Sequence, residues 1–394
     1  MAMRGEAGEP APASARPDPT RPTYLELFFD LAYIFALIVV AEELLNDLTW
    51  GGAGRALVLF LAFTLIWALA TWAGDVLDLT RPTVVPQVVG VMAGSLLLAG
   101  TVPEAYHEGG LLFAVTYLTI HFGSGIYYTL VPSGAARTRT HRTMLWEAVA
   151  AVPWIIGGLQ TNAGARTTLW AVALAVEYLG VVLGWPTPWA WHRPPREARR
   201  VGERVAERYR QFVIVALGAS LFLVGSEFSE GRYTRDRVVA LVVGFTTTVL
   251  IWRIYIYRAG QLMTATIAGA ANPARLSEIT AFVHLVMVAG IVGTSVASQL
   301  VIRQPFGDTR PALAAVILGG PALFLVGRAL LDYTVFAHVN RARLVGLLLL
   351  AGLAAATPLL PPVVVGLTVV GVLTGIATSN LIQTLTNPPR PATR

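Results

Sequence analysis

Residues 25–45 read LELFFDLAYIFALIVVAEELL, a run of 21 residues that is mostly apolar and contains neither glycine nor proline. A helix needs about 20 such residues to cross the hydrocarbon core of a bilayer. Glu26 and Asp30 interrupt the run near its start. Because they are four residues apart, they lie on one face of a helix. The segment predicts a transmembrane helix with a polar face near one end.

Similar apolar runs recur along the chain, which predicts an all-α, polytopic transmembrane bundle of about twelve helices. The predicted spans are 25–45, 56–74, 84–102, 110–131, 143–159, 168–185, 209–228, 238–257, 279–302, 312–331, 344–360 and 362–385. The composition agrees, because 55% of the 394 residues are apolar and 13% are charged, whereas soluble domains carry about 25% charged residues. A mean hydropathy of +0.62 also excludes a soluble enzyme.

The predicted helices fall into two sets of six. Residues 1–22 predict a disordered cytoplasmic tail, because they are rich in proline, alanine and glycine. We expect residues 23–185 to hold helices 1–6 and residues 209–387 to hold helices 7–12. Residues 186–208 then form an Arg- and Pro-rich cytoplasmic loop, and residues 388–394 form a second cytoplasmic tail.

A weak similarity relates the two sets of helices at an offset of 185 residues. Tyr24 matches Tyr209, Glu42 matches Glu227, and the triplet ending at Trp67 matches the triplet ending at Trp252. Each set has an even number of predicted spans, so the pattern is compatible with a parallel 6+6 repeat about an axis along the membrane normal.

The distribution of arginine predicts the orientation in the membrane. If the N-terminus is inside, the cytoplasmic segments hold 19 Arg residues and the outer loops hold seven. Cytoplasmic loops retain positive charge, so we expect a protein of the bacterial cytoplasmic (inner) membrane with both termini in the cytoplasm. The net charge of +6 then reflects membrane sidedness, and the expected partner is the lipid bilayer and not nucleic acid.

Several kinds of chemistry are excluded by residue type. The chain has no cysteine and no lysine, which excludes disulfides, thiolate metal sites and Schiff-base catalysis. It also lacks a glycine-rich phosphate loop with lysine, an H-E-x-x-H motif and a G-x-S-x-G motif. We therefore expect no cofactor and no metal.

Charged groups inside a bilayer are costly and mark sites. Glu26 and Asp30 are the candidate proton-exchanging acids, and we expect them to face the interior and pair with Arg253 or Arg328. The candidate binding residues are Asp75, Asp78, Glu147, Glu177, Arg253, Tyr257, His284, Arg328 and Asp332. Successive helices cross the membrane in opposite directions, which places most of these groups in the cytoplasmic half of the membrane. This arrangement predicts one polar cavity open to the cytoplasm. The competing interpretation is that they snorkel to the interface or cap helices.

The motif from Tyr24 to Leu31, YLELFFDL, resembles the E-L-F-F-D-L signature of the bacterial low temperature requirement A family of multi-pass membrane proteins. The similarity continues through Ala206-Glu207-Arg208-Tyr209, through the region of Trp252 and Arg253, and at His284. Four positions depart from the usual pattern: Arg204 and Ala219 stand where His and Glu are usual, and Ser298 and Gln299 replace acidic residues. The resemblance implies a membrane fold, but chemistry that needs those carboxylates is not implied for this chain.

Three functions stay open. The first is a transporter or binding protein for a small solute that uses the cytoplasm-facing polar cavity. The second is an intramembrane enzyme that acts on a lipid or isoprenoid by acid catalysis, similar to a membrane terpene cyclase. The third is a structural or stress-related membrane protein without catalysis. The residues decide neither the substrate nor whether the chain is an enzyme.

Overall fold

The computed structural model describes residues 23–76, 84–130, 134–187, 198–256 and 273–386, together with residues 263, 266, 269 and 270. In these ranges the chain forms twelve α-helices and no β-strand, so the prediction of an all-α bundle of about twelve helices is confirmed. The helices are α1 (Tyr24–Asn46), α2 (Trp50–Val76), α3 (Val85–Gly100), α4 (Gly110–Leu130), α5 (Gly134–Gly158), α6 (Ala163–Leu183), α7 (Ala198–Ser229), α8 (Arg235–Ile256), α9 (Pro273–Arg303), α10 (Pro311–Phe336), α11 (Arg341–Ala354) and α12 (Pro362–Thr386).

Nine of the helices in the described ranges are long and apolar enough to cross a membrane: α1, α2, α4, α6, α7, α8, α9, α10 and α12. Of the other three, α3 is apolar but has only 16 residues, and the first ten residues of α5 include three Arg and one His. The helix predicted over 344–360 ends at Ala354, because Pro358 has no N–H to donate to the carbonyl oxygen of Ala354, four residues earlier. A short 3₁₀ helix, Thr357–Leu359, follows. At 14 residues, α11 is about 21 Å long.

The helix ends follow from local sequence signals. In α1 the Thr23 side chain accepts from the Glu26 backbone, and the Glu26 carboxylate accepts from the Thr23 backbone, which is a capping box. In α6 the Asn162 side chain caps the first turn, and Gly184 ends the helix with a φ of 74°. Such a left-handed conformation favours glycine. These signals place the ends of the helices close to the ends of the apolar runs.

The start of α7 differs from the prediction. The sequence-based start was residue 209, whereas α7 begins at Ala198 and includes the last eleven residues of the predicted loop. Those residues are rich in Ala, Glu and Arg, which favour helices, but they are too polar to be recognised from hydropathy. Arg208 therefore lies on a helix and points into the protein.

The helices of the two sets have matching neighbours. In the first unit, α1–α6, helix α1 packs on α2 and α3, α2 packs on α6, and α3, α4, α5 and α6 pack in sequence. In the second unit, α7–α12, helix α7 packs on α8 and α9, α8 packs on α12, and α9, α10, α11 and α12 pack in sequence. Each packed pair of helices in the first unit therefore corresponds to a packed pair in the second unit whose helix numbers are higher by six, as α1–α2 corresponds to α7–α8.

The two units meet mainly through α1 and α2 on one side and α7 and α9 on the other. Helix α9 also packs closely on α10. A Cβ atom added at Gly290 would lie 2.4 Å from the backbone nitrogen of Phe324, and one added at Gly320 would lie 2.5 Å from the backbone nitrogen of Thr294. Glycine at both positions lets the backbones approach, as is common between membrane helices.

Candidate functional site

Asp30 lies at the contact between the two units and is almost fully buried, with 2% of its surface exposed. Its Oδ1 atom accepts hydrogen bonds from Arg208 Nη2 at 2.8 Å and from Trp67 Nε1 at 2.9 Å. Its Oδ2 atom accepts from Arg208 Nη1 at 2.8 Å. Arg208 therefore binds both oxygens of the Asp30 carboxylate in a bidentate salt bridge, which is the strongest common geometry for such a pair.

Arg208 is buried to the same degree as its partner. Its Nη1 atom also donates to Gln211 Oε1 at 3.1 Å, and its Nε atom lies 3.8 Å from Glu26 Oε1. Glu26 is held in place by Thr23, whose backbone N–H and hydroxyl donate to Oε2 at 2.7 and 3.0 Å. Both predicted acids of α1 therefore face the interior and surround one arginine.

The arginine partner differs from the sequence prediction. We expected Arg253 or Arg328 to pair with Asp30, but the partner is Arg208, 178 positions away in the chain. The expectation was wrong because Arg208 had been assigned to a polar loop. A signal was present in the sequence, since Arg208 belongs to the A-E-R-Y motif that contributes to the family resemblance.

Aromatic rings enclose the ion pair between Asp30 and Arg208. The Arg208 guanidinium lies 5.5 Å from the centre of the Trp67 ring, within the range of cation–π attraction. Trp67 stacks on Phe212 at 4.3 Å between ring centres and meets Tyr209 edge-on at 5.0 Å. These rings exclude water from the pair, so the attraction between its charges is stronger than at a surface.

A second group of polar side chains lies inside the first unit. We call His121, Glu147, Glu177 and Tyr117 the acidic cluster. Glu147 Oε1 lies 3.3 Å from His121 Nδ1, and Glu177 Oε2 accepts from the Tyr117 hydroxyl at 2.8 Å. Each of the four side chains is at most 4% exposed. Glu147 and Glu177 were predicted as binding residues, whereas His121 and Tyr117 were not among them.

A third group lies inside the second unit, and we call Arg328, Asp332 and Arg343 the arginine cluster. Asp332 forms ion pairs with both arginines, and Arg328 Nε donates to the carbonyl oxygen of Ile254 at 3.3 Å. All three residues are buried. Arg328 and Asp332 were predicted from the sequence, whereas Arg343 was assigned to the cytoplasmic loop before helix 11.

His284 lies in α9, and its ring is 5.8 Å from the ring centre of Tyr209, next to the aromatic residues around the ion pair. Its Nδ1 atom lies 2.7 Å from the carbonyl oxygen of Thr280, and its Nε2 atom lies 3.0 Å from the Tyr255 hydroxyl. A carbonyl only accepts, so this geometry assigns the hydrogen to Nδ1 and makes Nε2 the acceptor from tyrosine. His284 is therefore a hydrogen-bonded link between α8 and α9.

Among the residues that the structure describes, the predicted site residues lie in several separate groups. They divide into the ion pair at the contact between units, the acidic cluster, the arginine cluster and the pair of His284 and Tyr255. Arg253 lies in the last turn of α8 and is half-buried. Asp75, Asp78 and Tyr257 lie outside the side chains that the structure describes.

No three His, Asp or Glu side chains converge as metal ligands within the described part of the chain. The charged groups instead neutralise one another or hydrogen-bond to aromatic residues and backbone carbonyls. The arrangement can hold protons and stabilise the contact between helices, and protonation of its carboxylates would change the net charge of each group.

A smaller network lies at the facing ends of α1 and α2 and in the loop between them. The Arg55 guanidinium donates to Asp47 at 2.6 Å and to Glu43 at 3.0 Å. Hydrogen bonds from Thr49 and Arg55 lower the pKa of Asp47 below its ordinary value. Burial raises the pKa of Tyr106, whose ring lies 5.4 Å below the Arg55 guanidinium.

Comparison with known proteins identifies the family. Residues 21–378 match the family described as Bacterial low temperature requirement A protein (LtrA). A relative is an uncharacterized protein of Rhizobium meliloti, 32% identical over 314 residues that cover 79% of this chain and 76% of the relative. The matched region includes all three groups of buried charges, and the resemblance seen in the first helix extends over almost the whole chain. The chain belongs to the bacterial low temperature requirement A (LtrA) family of multi-pass membrane proteins.

Proposed function

We propose that this protein binds and moves a small solute across the bacterial inner membrane by relative motion of its two six-helix units. The observation that carries the proposal is the recurrence of helix neighbours, because each pair of packed helices in α1–α6 has an equivalent in α7–α12. Transporters are commonly built from such repeats, which rock against each other around a site at their interface. The parallel 6+6 repeat is part of this proposal.

In this proposal, Asp30 and Glu26 couple motion to proton exchange. Asp30 joins α1 to α7 through Arg208, and these helices belong to different units. Protonation of Asp30 would remove one charge of the pair and weaken the contact, while Glu26 at 3.8 Å would keep Arg208 partly compensated. The contact between units would therefore respond to proton binding.

We also propose that both termini are cytoplasmic, as the distribution of Arg predicts. The chain has no cysteine, so single-cysteine variants can be labelled without background. A cysteine in the range 186–197 should react with a membrane-impermeant maleimide only after cells are opened. One at Tyr233, which is 76% exposed between α7 and α8, should react in intact cells. The reverse pattern would overturn the orientation.

Distances between spin labels test the motion of the units, with the proton as the probe. Leu130→Cys with Tyr333→Cys reports the predicted cytoplasmic side, and Trp50→Cys with Leu359→Cys reports the opposite side; all four positions are exposed. On acidification of the protein in lipid nanodiscs, one distance should lengthen while the other shortens. Tyr24→Cys with Leu130→Cys, both in the first unit, is the control that should not change. Fixed distances in both test pairs would refute proton-linked rocking.

A second candidate function is acid catalysis on a lipid or isoprenoid, and the aromatic surroundings of Asp30 favour it. The rings of Phe29, Tyr33, Trp67 and Phe212 form one connected series of contacts beside the carboxylate. Aromatic faces stabilise cations, and a protonated acid beside them could add a proton to an alkene. Incubation with squalene in heavy water tests this function. Cyclisation started by protonation would place deuterium in the product, whereas recovery of unlabelled squalene would exclude it for this substrate.

A further inference from the structure

The acidic cluster brings two carboxyl groups and one imidazole together, and no described arginine forms an ion pair with them. Glu147 contacts His121, and Glu177 contacts Tyr117. The Tyr117 ring stacks between His121 and Trp154, with ring centres at 4.3 and 4.4 Å. The residues come from three consecutive helices, α4, α5 and α6, which pack in sequence. The cluster is therefore internal to the first unit and separate from the ion pair of Asp30.

Several polar atoms of the acidic cluster have no hydrogen-bond partner in the described part of the chain. They are His121 Nε2, Glu147 Oε2, Glu177 Oε1 and, beside the cluster, Trp154 Nε1. The buried Trp154 indole is a hydrogen-bond donor toward the Glu177 carboxyl group, so the unsatisfied atoms of the cluster are chiefly His121 Nε2 and Glu147 Oε2. Buried polar atoms are normally paired, so these atoms indicate a site that accepts a further proton or a small hydrogen-bonding molecule.

The helices around the cluster supply few other charges. Tyr178 on α6 bonds to the Thr64 hydroxyl and to the Leu61 carbonyl of α2. Helix α3, which packs on α4, contains no charged residue. Arg142, on the same helix as Glu147, donates to the carbonyl oxygens of Trp185 and Gly184. The titratable groups that face one another are thus Glu147, Glu177, His121 and the two tyrosines.

The charges of these groups decide how many protons the cluster holds. With both carboxyl groups ionised and His121 protonated, the cluster has a net charge of −1, which is disfavoured inside a membrane protein. Two protons distributed over His121, Glu147 and Glu177 make it neutral. Loss of one of them to water leaves one additional carboxylate or a neutral imidazole, and it changes the charge by one.

The acidic cluster lies far from both ends of its helices, so a proton bound there is distant from the membrane surface. His121 is the twelfth of 21 residues in α4, Glu147 the fourteenth of 25 in α5, and Glu177 the fifteenth of 21 in α6. At 1.5 Å per residue, each lies about 9 Å or more from either end of its helix. A proton held there must pass through the protein to reach water.

We infer that His121, Glu147 and Glu177 form an internal proton-binding site in the first unit, with Tyr117 as the residue that positions Glu177. The ligand is a single exchangeable proton, which Glu177 gives to water to become a carboxylate. The inference does not need the transport proposal, because the acidic cluster shares no residue with the Asp30–Arg208 contact.

Infrared difference spectroscopy between mildly acidic and mildly alkaline buffer tests the inference on the full chain in lipid nanodiscs. We expect a carboxylic acid band that disappears at alkaline pH, and that shifts when only glutamate carries carbon-13. Glu177→Gln or Glu147→Gln should remove or displace the band. Tyr117→Phe should shift its frequency without removing it, since the hydrogen bond to Glu177 is lost and the carboxyl group stays.

The matched control is Glu230→Gln, which removes an exposed carboxyl group just beyond the end of α7 and should leave the band unchanged. The carbon-13 measurement needs no substitution and shows whether the band belongs to glutamate. If a glutamine variant fails to fold, Tyr117→Phe, which keeps all three ionisable groups of the cluster, assigns the band to Glu177 through the loss of its hydrogen bond. Absence of a pH-dependent glutamic acid band in the wild type would overturn the inference. A band that persists unchanged in both Glu177→Gln and Glu147→Gln would overturn it as well.

Discussion

The ion pair between Asp30 and Arg208 gives the sharpest prediction. Asp30→Asn would leave the guanidinium buried with 1% of its surface exposed and without its two-pronged partner. Removal of one member of a buried pair costs about 3–5 kcal/mol of unfolding free energy. We expect the lower end of this range, because Glu26 Oε1 remains 3.8 Å from Arg208 Nε. Arg208→Met should cost a similar amount, since Asp30 then keeps only the hydrogen bond from Trp67.

The double variant separates a true pair from two independent losses. When Asp30→Leu and Arg208→Met are combined, both members of the pair are removed, and Glu26 keeps its hydrogen bonds from Thr23. Replacement of a whole buried pair by apolar residues is often neutral. We therefore expect the double variant to be more stable than either of its own single variants, Asp30→Leu and Arg208→Met, with a coupling energy of at least about 2 kcal/mol between the two sites. Additive losses would refute the reasoning.

Reversible unfolding in mixed micelles with increasing SDS measures these free energies. The control is the pair of Arg210 and Glu207, which is close to Arg208 on the same helix but more exposed. Exposed pairs contribute about 0–1 kcal/mol, so Arg210→Met should change the stability little. If the control lost as much as Arg208→Met, the effect would come from the polar end of α7 and not from the ion pair.

Two further predictions concern packing and pH. Gly320→Ala should destabilise the protein by about 1–3 kcal/mol, because its Cβ would lie 2.5 Å from the backbone nitrogen of Thr294. The neighbouring control is Gly319→Ala, whose Cβ would have no atom within 4 Å. In the same unfolding assay, the control should be close to neutral. Hydrogen bonds from Thr49 and then from Arg55 lower the pKa of Asp47 in the folded state. These contacts therefore stabilise the folded state above the pKa of the unfolded chain, about 3.9, and this stability is lost as the pH falls through the folded-state pKa. The contact between Asp47 and Arg55 should contribute less than about 1 kcal/mol to the free energy of unfolding, because the pair is partly exposed. Asp47→Asn should remove this part of the acid sensitivity. If the free energy of unfolding of Asp47→Asn changed with pH as in the wild type, the role given to Asp47 would be wrong.

The sequence predicted the fold class and most of the helices because membrane crossing depends on local properties. Apolar length and the absence of charge can be read from about 20 consecutive residues, as in 25–45. The same reasoning identified Glu26, Asp30, Glu147 and Glu177 as buried acids, since charged groups in apolar runs usually face the protein interior. Hydropathy failed at the polar start of α7 and at the end of α11, where helix propensity and Pro358 decide the boundary.

The partners of the buried charges depended on tertiary structure. Asp30 and Arg208 are 178 positions apart, and Tyr117 and Glu177 are 60 apart. A one-dimensional pattern indicates which face of a helix is polar, but it does not indicate which helix covers that face. That choice is made by the packing of all the helices together, because the cost of an unpaired buried charge is removed only when a partner from another helix lies within a few ångströms.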